Sequence, residues 1–480
     1  MSLTLFTSFL VTKGKLRSFF IETDFTGGRK ILQIQTEDLP QDYTQDYLRE
    51  RTKAVFERRK EEVDPMGTVN KISDIVIDEP LLTAAVSGIS IEGSMKLAEQ
   101  LAWSLLLDVK KRMTSYDDFK PSDFDNIDFL VIAGGYDDAK STRLDRMIGN
   151  IAVNLSATQN RPTIIFAGSK LSRECAVREL SHYAKNNDVI IRENVMDLES
   201  SYYQGNTMHD NSITQAEAKK SNIILKIPEI LPKISELYCL RRRTSALSFV
   251  FNDDYSLIST VERGDVEPVF RNYAIAESIE NIPEEHFESA YNGLFTKRQT
   301  IFDEDEGLHR VLPIVRKNAR SDFLPDKVIG ISLTKGVDLN KFISILTKII
   351  HNQPTVEFIF DSTGFLTAVA SIYICDRTTN SYIDVFSDNN ELKSGWLITP
   401  EGKFDFGKPA LTLEIVGEKK EDRTLKWGEI EYIEVAPHSV VEVYAEEKVF
   451  LDDEKSAETF HSKDAGKLFV FDLRNKGRNG

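Results

Sequence analysis

Between Asp74 and about Leu225 short apolar runs alternate with helix-length segments, and this alternation constrains the fold more than any other feature of the chain. The runs are Leu82–Ser87, Phe129–Gly134, Thr163–Ala167 and Val189–Glu193. Between them lie MKLAEQLAWSLLLDVKKRM, LDRMIGNIAVNLSA and SRECAVRELSHYAK, each with apolar residues three and four apart, the spacing of an amphipathic helix. Parallel strands need crossover connections of a dozen or more residues, so the pattern predicts a parallel sheet covered by helices on both faces.

The flanks read differently. Leu3–Val11, Lys15–Thr23 and Arg29–Gln35 are strand-like and separated by Lys13-Gly14 and Gly27-Gly28, a meander. Residues 41–64 then predict an exposed helix whose dense charges read as a solvated face. After Arg241–Arg243 the paired strands SALSFVF and YSLISTVE flank Asn252-Asp253-Asp254, a turn. Helices are expected around Asn272–Glu280, Glu306–Lys317 and Leu339–Ile350 and from Thr363, with strands at KVIGIS and TVEFIFD. From about Gly395 onward LTLEIV, EIEYIEV, VVEVYAEE and KLFVFDL predict a β-rich close. The expected divisions are 1–72, 73–238, 239–394 and 395–480.

Composition narrows the function. The chain has 480 residues, 41% of them apolar and 28% charged, ample for a packed core. Its net charge of −16 repels a phosphate backbone, so nucleic acid is not an expected partner. No apolar run reaches the roughly 20 residues of a spanning helix, so membrane insertion is not expected. Cys175, Cys239 and Cys375 lie far apart, which fits a reducing, cytoplasmic setting and neither a disulfide framework nor a cysteine metal site.

Two glycine loops follow consecutive strands of the expected parallel sheet. One carries Gly134, Gly135, Asp137 and Asp138; the other Gly168, Ser169 and Lys170. Ligands gather beyond the carboxyl ends of parallel strands, and glycines there let backbone amides approach an anion. Tight turning alone explains the same residues, and Asp137 with Lys170 reads equally as a salt bridge. Ser87-Gly88-Ile89-Ser90 and Ser94 read as a strand-to-helix turn with serine capping. His209-Asp210 is a lone polar pair, and Asp303–Glu306 reads as a solvated helix start. The histidines have no zinc spacing, so no metal site and no catalytic residue is expected.

At AGGYDDAK and the following strands, AGSK and ENVMD, the chain resembles the MutL-type accessory proteins of the glutamate mutase system, which are distinct from the mismatch-repair proteins of that name. Asn150, LTAAVSGISIEGSMKLAEQLAWSLLLDVK, Leu339–Ala370 and the close KLFVFDLRNKGR add to the likeness, which runs from about Leu81 to Gly477. The resemblance implies the two-lobe fold of the actin, Hsp70 and sugar-kinase superfamily with an inserted parallel α/β subdomain and a β-rich C-terminal module. It also implies ATP-dependent, magnesium-assisted reactivation of a cobalamin-dependent mutase. Three departures all fall on the nucleotide. The first phosphate loop would lie near Leu5–Phe9, without its Asp and Gly. The second, near Val250–Tyr255, reads FNDDY. The adenosine-side glycines are reduced to Gly330 and Gly336. The expectation is therefore a degenerate member without nucleotide chemistry, working through contacts with an unidentified protein and able to self-associate.

Overall fold

The computed structural model describes residues 4–23, 29–63, 69–78, 80–196, 224–231, 245–252, 255–262, 269–275, 298–305, 308–315, 327–333, 355–360, 364, 367, 371, 397–400, 408–417, 419–427, 429–436, 438–444, 449–451, 459–461 and 467–473. The chain opens with the antiparallel meander β1 (Thr4–Thr12), β2 (Lys15–Thr23) and β3 (Arg29–Asp38). Helix α1 (Gln45–Val63) follows, then β4 (Val69–Ile77), parallel to β1. Side chains alternate across a strand, so Phe9, Val11, Leu16 and Phe20 share one face and are buried there with Leu48 and Val55 of α1. The charges of α1 cover that core; the apolar stripe within them, not the charge run, fixes the helix.

The insertion comes next: β5 (Leu82–Gly88), α2 (Lys96–Ser104), β6 (Leu107–Thr114), β7 (Phe129–Ile132), α3 (Thr142–Ser156), β8 (Thr163–Phe166), α4 (Arg173–Leu180) and β9 (Val189–Ile191). Its strands form the expected parallel sheet, in the order β6-β5-β7-β8-β9. One predicted helix is corrected, since MKLAEQLAWSLLLDVKKRM splits into α2 and the edge strand β6. The continuous apolar run Leu105–Leu107 hid the break, which the chain makes at Leu106 with φ of 59°. Lys110, Lys111 and Arg112 are exposed on this edge strand, where charge discourages further pairing.

Strand β10 (Ile224–Lys226) returns to β4 and completes a sheet of order β10-β4-β1-β2-β3. β4 crosses the expected boundary at 72/73, and both β4 and β10 belong to the first lobe because their pairing partners are distant in sequence.

The second lobe repeats this plan. β11 (Ala246–Phe251), β12 (Ser256–Glu262) and β13 (Val269–Ile275) form an antiparallel meander, and β14 (Arg298–Asp305) and β15 (Leu308–Val315) form a hairpin. β16 (Lys327–Ser332) and β17 (Thr355–Phe360) add in parallel, giving β13-β12-β11-β16-β17. Two sheets with one strand order and one pattern of directions make this an actin-like two-lobe fold. Helices expected at Asn272–Glu280 and Glu306–Lys317 are corrected to β13 and β15 over their described parts. Asp303 pairs with Arg310 and Glu304 with His309 in the hairpin, so the described part of that acidic block, Asp303–Asp305, ends a strand and does not start a helix. Cross-strand partners decided these segments, whose apolar spacing is ambiguous between the two periods. The helix expected at Leu339–Ile350 lies outside the described residues, as does most of the run from Thr363.

The C-terminal strands are β18 (Leu397–Pro400), β19 (Pro409–Val416), β20 (Lys420–Lys426), β21 (Glu429–Val435), β22 (Val440–Tyr444), β23 (Val449–Leu451), β24 (Thr459–His461) and β25 (Lys467–Asp472). β21, β25, β18 and β23 extend the second-lobe sheet from β17, while β20-β19-β22-β24 form a sheet of their own. Arg423 of β20 reaches Glu431 of β21 at 2.9 Å and so ties the two sheets.

The insertion is welded to the second lobe. Leu97, Leu101 and Trp103 of α2 share one buried core with Leu247, Phe249, Ile258 and Val328. Among the described residues no helix is long and apolar enough to cross a membrane.

Candidate functional site

The β1–β2 hairpin sets the site. Thr12 pairs with Lys15 and Leu10 with Arg17, so these four side chains share the face opposite the α1 core. Lys13 and Gly14 make the turn with φ of 48° and 71°, the left-handed pair of a tight hairpin whose twist matches the strands. The Gly14 carbonyl accepts from the amide of Leu39 at 2.8 Å, which fixes the turn against the end of β3.

Opposite the hairpin lie residues that follow strands of both sheets. Asp78 follows β4 and its amide donates to the carbonyl of Val11 at 2.9 Å. One oxygen of its carboxylate accepts from Thr12 Oγ1 at 3.2 Å and the other from Asn252 Nδ2, in the second lobe, at 3.0 Å. Asn252 begins the β11–β12 turn, its amide donating to the carbonyl of Tyr255 at 2.9 Å. Ile227, Leu333 and Gly364 complete a cavity of about 230 Å³ lined also by Leu10, Thr12, Lys13, Lys15, Arg17, Asp78 and Asn252. Deeper in, the Ser8 and Ser371 hydroxyls share a buried hydrogen bond of 2.7 Å between elements 363 residues apart. The site is an inter-lobe cleft whose walls already bond to one another.

The segments that the resemblance marks as phosphate loops stand as follows in the structure. Leu5–Phe9 is interior to β1, with Thr7 and Ser8 buried, and the turn facing the cleft is Lys13-Gly14. The second turn does fall at Asn252–Tyr255; Asp253 and Asp254 lie outside the described residues. Gly330 is buried inside β16, between Phe249 and Phe358 in register, and Gly336 is outside the described residues.

The glycine loops of the insertion come together as neighbours after β7 and β8, and their polar groups bond to each other. Ser169 donates from its amide to the Gly134 carbonyl at 2.8 Å and from its hydroxyl to the Tyr136 carbonyl at 2.7 Å. Oδ1 of Asp137 accepts from the Lys170 amide at 2.8 Å and from Asn194 Nδ2 at 3.0 Å, and the Lys170 ammonium lies 3.9 Å from Oδ2. Asp138 is exposed beside them. A side chain at Gly168 would stand 2.8 Å from the Gly134 carbonyl, so its glycine permits close backbone approach. Ser94 Oγ accepts from the preceding amides of Ile89 and Ser90 at 2.7 and 3.4 Å and so closes the turn after β5; the expected serine cap is corrected, since Ser90 at the start of the helical turn makes no side-chain capping bond.

Burial, and next the charge of Asp145, push the Cys175 thiol up from its ordinary range. Cys239, Cys375, His209 and Asp210 lie outside the described residues. Among the described residues no three His, Cys, Asp or Glu side chains converge as metal ligands. Sequence reasoning had picked out Lys13, Gly14 and Asn252 as turn residues but not Thr12, Lys15, Arg17, Asp78 or Gly364. The period-2 spacing of Lys15 and Arg17 beside a Lys-Gly turn was the legible signal; nothing local marks Asp78 or Gly364.

The sequence matches no protein-family description and no curated protein. Among solved structures it is similar to the Aquifex aeolicus Ppx/GppA enzyme, at 7% identity and a TM-score of 0.22 over 68% of each chain. It is similar also to a Bacteroides thetaiotaomicron protein of actin-like ATPase fold and unknown function, at 8% identity and a TM-score of 0.20, over 74% of this chain and 90% of that one. YeaZ from Pseudomonas aeruginosa matches at 8% identity and a TM-score of 0.18, over 78% and 93%. The repeated strand order carries the fold; these likenesses add no argument to it.

Proposed function

We propose that this chain is a non-catalytic actin-like-fold protein that acts through protein–protein contacts, as a scaffold, assembly factor or regulator. The observation that carries the reading is Asp78, whose carboxylate accepts from Thr12 in its own lobe on one oxygen and from Asn252 in the other lobe on the second. A cleft whose acid already bridges the lobes leaves that acid engaged as a structural tie. The cavity of about 230 Å³ also falls below the roughly 300–1,000 Å³ usual for pockets that enclose a drug-sized ligand. Exposed apolar side chains supply contact surface. Ile91, Tyr116 and Leu171 follow β5, β6 and β8, at the carboxyl edge of one sheet, and are 61%, 59% and 48% exposed.

The rival reading, an ATP-driven reactivase of a cobalamin enzyme, is supported by the sequence resemblance alone. A thermal-shift titration with magnesium-ATP and magnesium-ADP separates the two, because a ligand at 100 times its dissociation constant stabilises the native state by about 2.7 kcal/mol. We expect no shift and no phosphate release. A shift accompanied by phosphate release that Asp78→Ala abolishes would replace this reading with the reactivase.

A further inference from the structure

One face of the sheet β20-β19-β22-β24 is core, with Leu411, Leu413, Leu425 and Val443 buried in one cluster with Ile433 and Phe471. Side chains alternate across a strand, so Glu414, Asp422 and Glu442 lie on the other face. In register Glu414 stands directly opposite both Asp422 of β20 and Glu442 of β22, and the three carboxylates form one row across three strands. Like charges directly opposite one another destabilise a sheet. Among the described residues one cation pairs with the row: the Lys420 ammonium lies 2.6 Å from Glu414 and is more than half exposed. The Glu414 hydrogen bond is the largest of the effects that push this ammonium up from its ordinary range, and the charges of Asp422 and Glu442 add to it. Val416 and Tyr444, two positions along the strands on either side of the row, are 40% and 53% exposed. The row is thus flanked by apolar and aromatic surface that is open to solvent.

From this we infer that the outer face of β20, β19 and β22 is the docking surface for a basic amphipathic helix of a partner protein. Adjacent strands lie about 4.8 Å apart, so the row presents carboxylates at that interval across the sheet. Residues three and four apart on a helix are neighbours at about 5–6 Å, so a stripe of Lys or Arg on a helix laid across the strands meets the row in step. Apolar residues bordering that stripe meet Val416 on one side and Tyr444 on the other. An extended partner running along the strands brings its cations in line with one carboxylate only. A second copy presenting the same face sets carboxylates against carboxylates, which disfavours self-association through it. The inference rests on the partner-contact reading above and deepens it, naming the surface and the chemistry of the partner.

Fluorescence anisotropy on the full chain tests this with a labelled helical peptide of about 18 residues, Lys at i, i+4 and i+7 and Leu alongside, and a second peptide with Glu for each Lys. The expected result is saturable binding of the lysine peptide alone, falling as salt rises through about 0.15 M. Glu414→Gln with Glu442→Gln should weaken it about fivefold or more. Because the chain as a whole carries −16, Glu50→Gln with Glu57→Gln on the exposed side of α1 removes the same charge elsewhere and should leave binding unchanged. Tyr444→Ala keeps every carboxylate and should also weaken binding, which covers a double variant that does not fold. No saturable binding, both peptides binding alike, equal loss in the α1 variant, or a dimer by sedimentation that the face variant dissolves would overturn the inference. Such a failure with no shift in the nucleotide titration leaves the scaffold reading standing with its contacts elsewhere. A nucleotide shift with peptide binding intact removes that reading and keeps the surface.

Discussion

Asn252 donates from Nδ2 to Oδ1 of Asp78 at 3.0 Å, joining the first turn of the second lobe to the end of β4 in the first across 174 residues of sequence. With Thr12 on the other oxygen, Asp78 is the point where both lobes and the hairpin meet. A hydrogen bond to a charged group contributes about 1.5–3 kcal/mol. Asp78→Ala should lower stability in urea by about that much and Asn252→Ala by about 1 kcal/mol. The double variant should fall short of the sum by about 0.5 kcal/mol or more, as coupled residues do. Strict additivity would mean that the bond does not form in solution.

Gly364 faces Leu10 with φ of 77°, and a Cβ there would stand 2.1 Å from Leu10 Cδ2. Gly364→Ala meets both a left-handed backbone and a clash across the cleft, so it should cost about 1–3 kcal/mol. Adding Leu10→Ala should recover the steric part and leave the backbone part. If Gly364→Ala melts with the parent, the close approach of these segments is wrong.

The glycine loops of the insertion predict an asymmetry between two members of one ion pair. Asp137 accepts from the Lys170 amide and from Asn194 as well as facing the Lys170 ammonium, which is more than half exposed. Asp137→Ala should destabilise the insertion by about 1–3 kcal/mol, because the amides it served lose their acceptor. Lys170→Ala should change stability by less than about 1 kcal/mol, as exposed pairs do. Gly135→Val should unfold the insertion locally, since φ is 71° and its Cβ would meet Ser169 and Leu144 at 3.1 and 3.2 Å. Hydrogen exchange across β7 and β8 reads all three.

Tyr444 on the outer face of β22 donates its hydroxyl to Glu442 at 2.6 Å. That bond, with partial burial and the charges of Glu442, Glu414 and Asp422, pushes the phenol up to about 12. A phenol whose folded value lies above its unfolded one adds stability that is complete below about pH 10 and is lost as pH rises toward 12. The difference in ultraviolet absorbance between the parent and Tyr444→Phe should therefore titrate near 12. Glu442→Gln should bring that midpoint back toward the ordinary tyrosine range; a midpoint already there in the parent would refute the bond.

Local chemistry wrote much of this protein into its sequence. Alternating apolar residues at Phe9, Val11, Leu16 and Phe20 announce strands with one buried face, and the three- and four-residue spacing of Leu144, Met147, Ile148, Ile151 and Leu155 announces α3, because each period is a property of a few neighbouring residues. The parallel sheet of the insertion and its two glycine loops follow from the same information. What the sequence does not hold locally is pairing. β6, β13 and β15 are strands because a neighbouring strand offered each a full ladder of hydrogen bonds, against an ambiguous local pattern. The cleft is the extreme case. Lys13, Lys15 and Arg17 sit together on one hairpin, but Asp78 reaches them only when β4 pairs with β1, and Asn252 and Gly364 only when the second lobe packs against the first. Contacts spanning 174 and 363 residues carry no periodic trace, so only the tertiary structure decided which residues line the site.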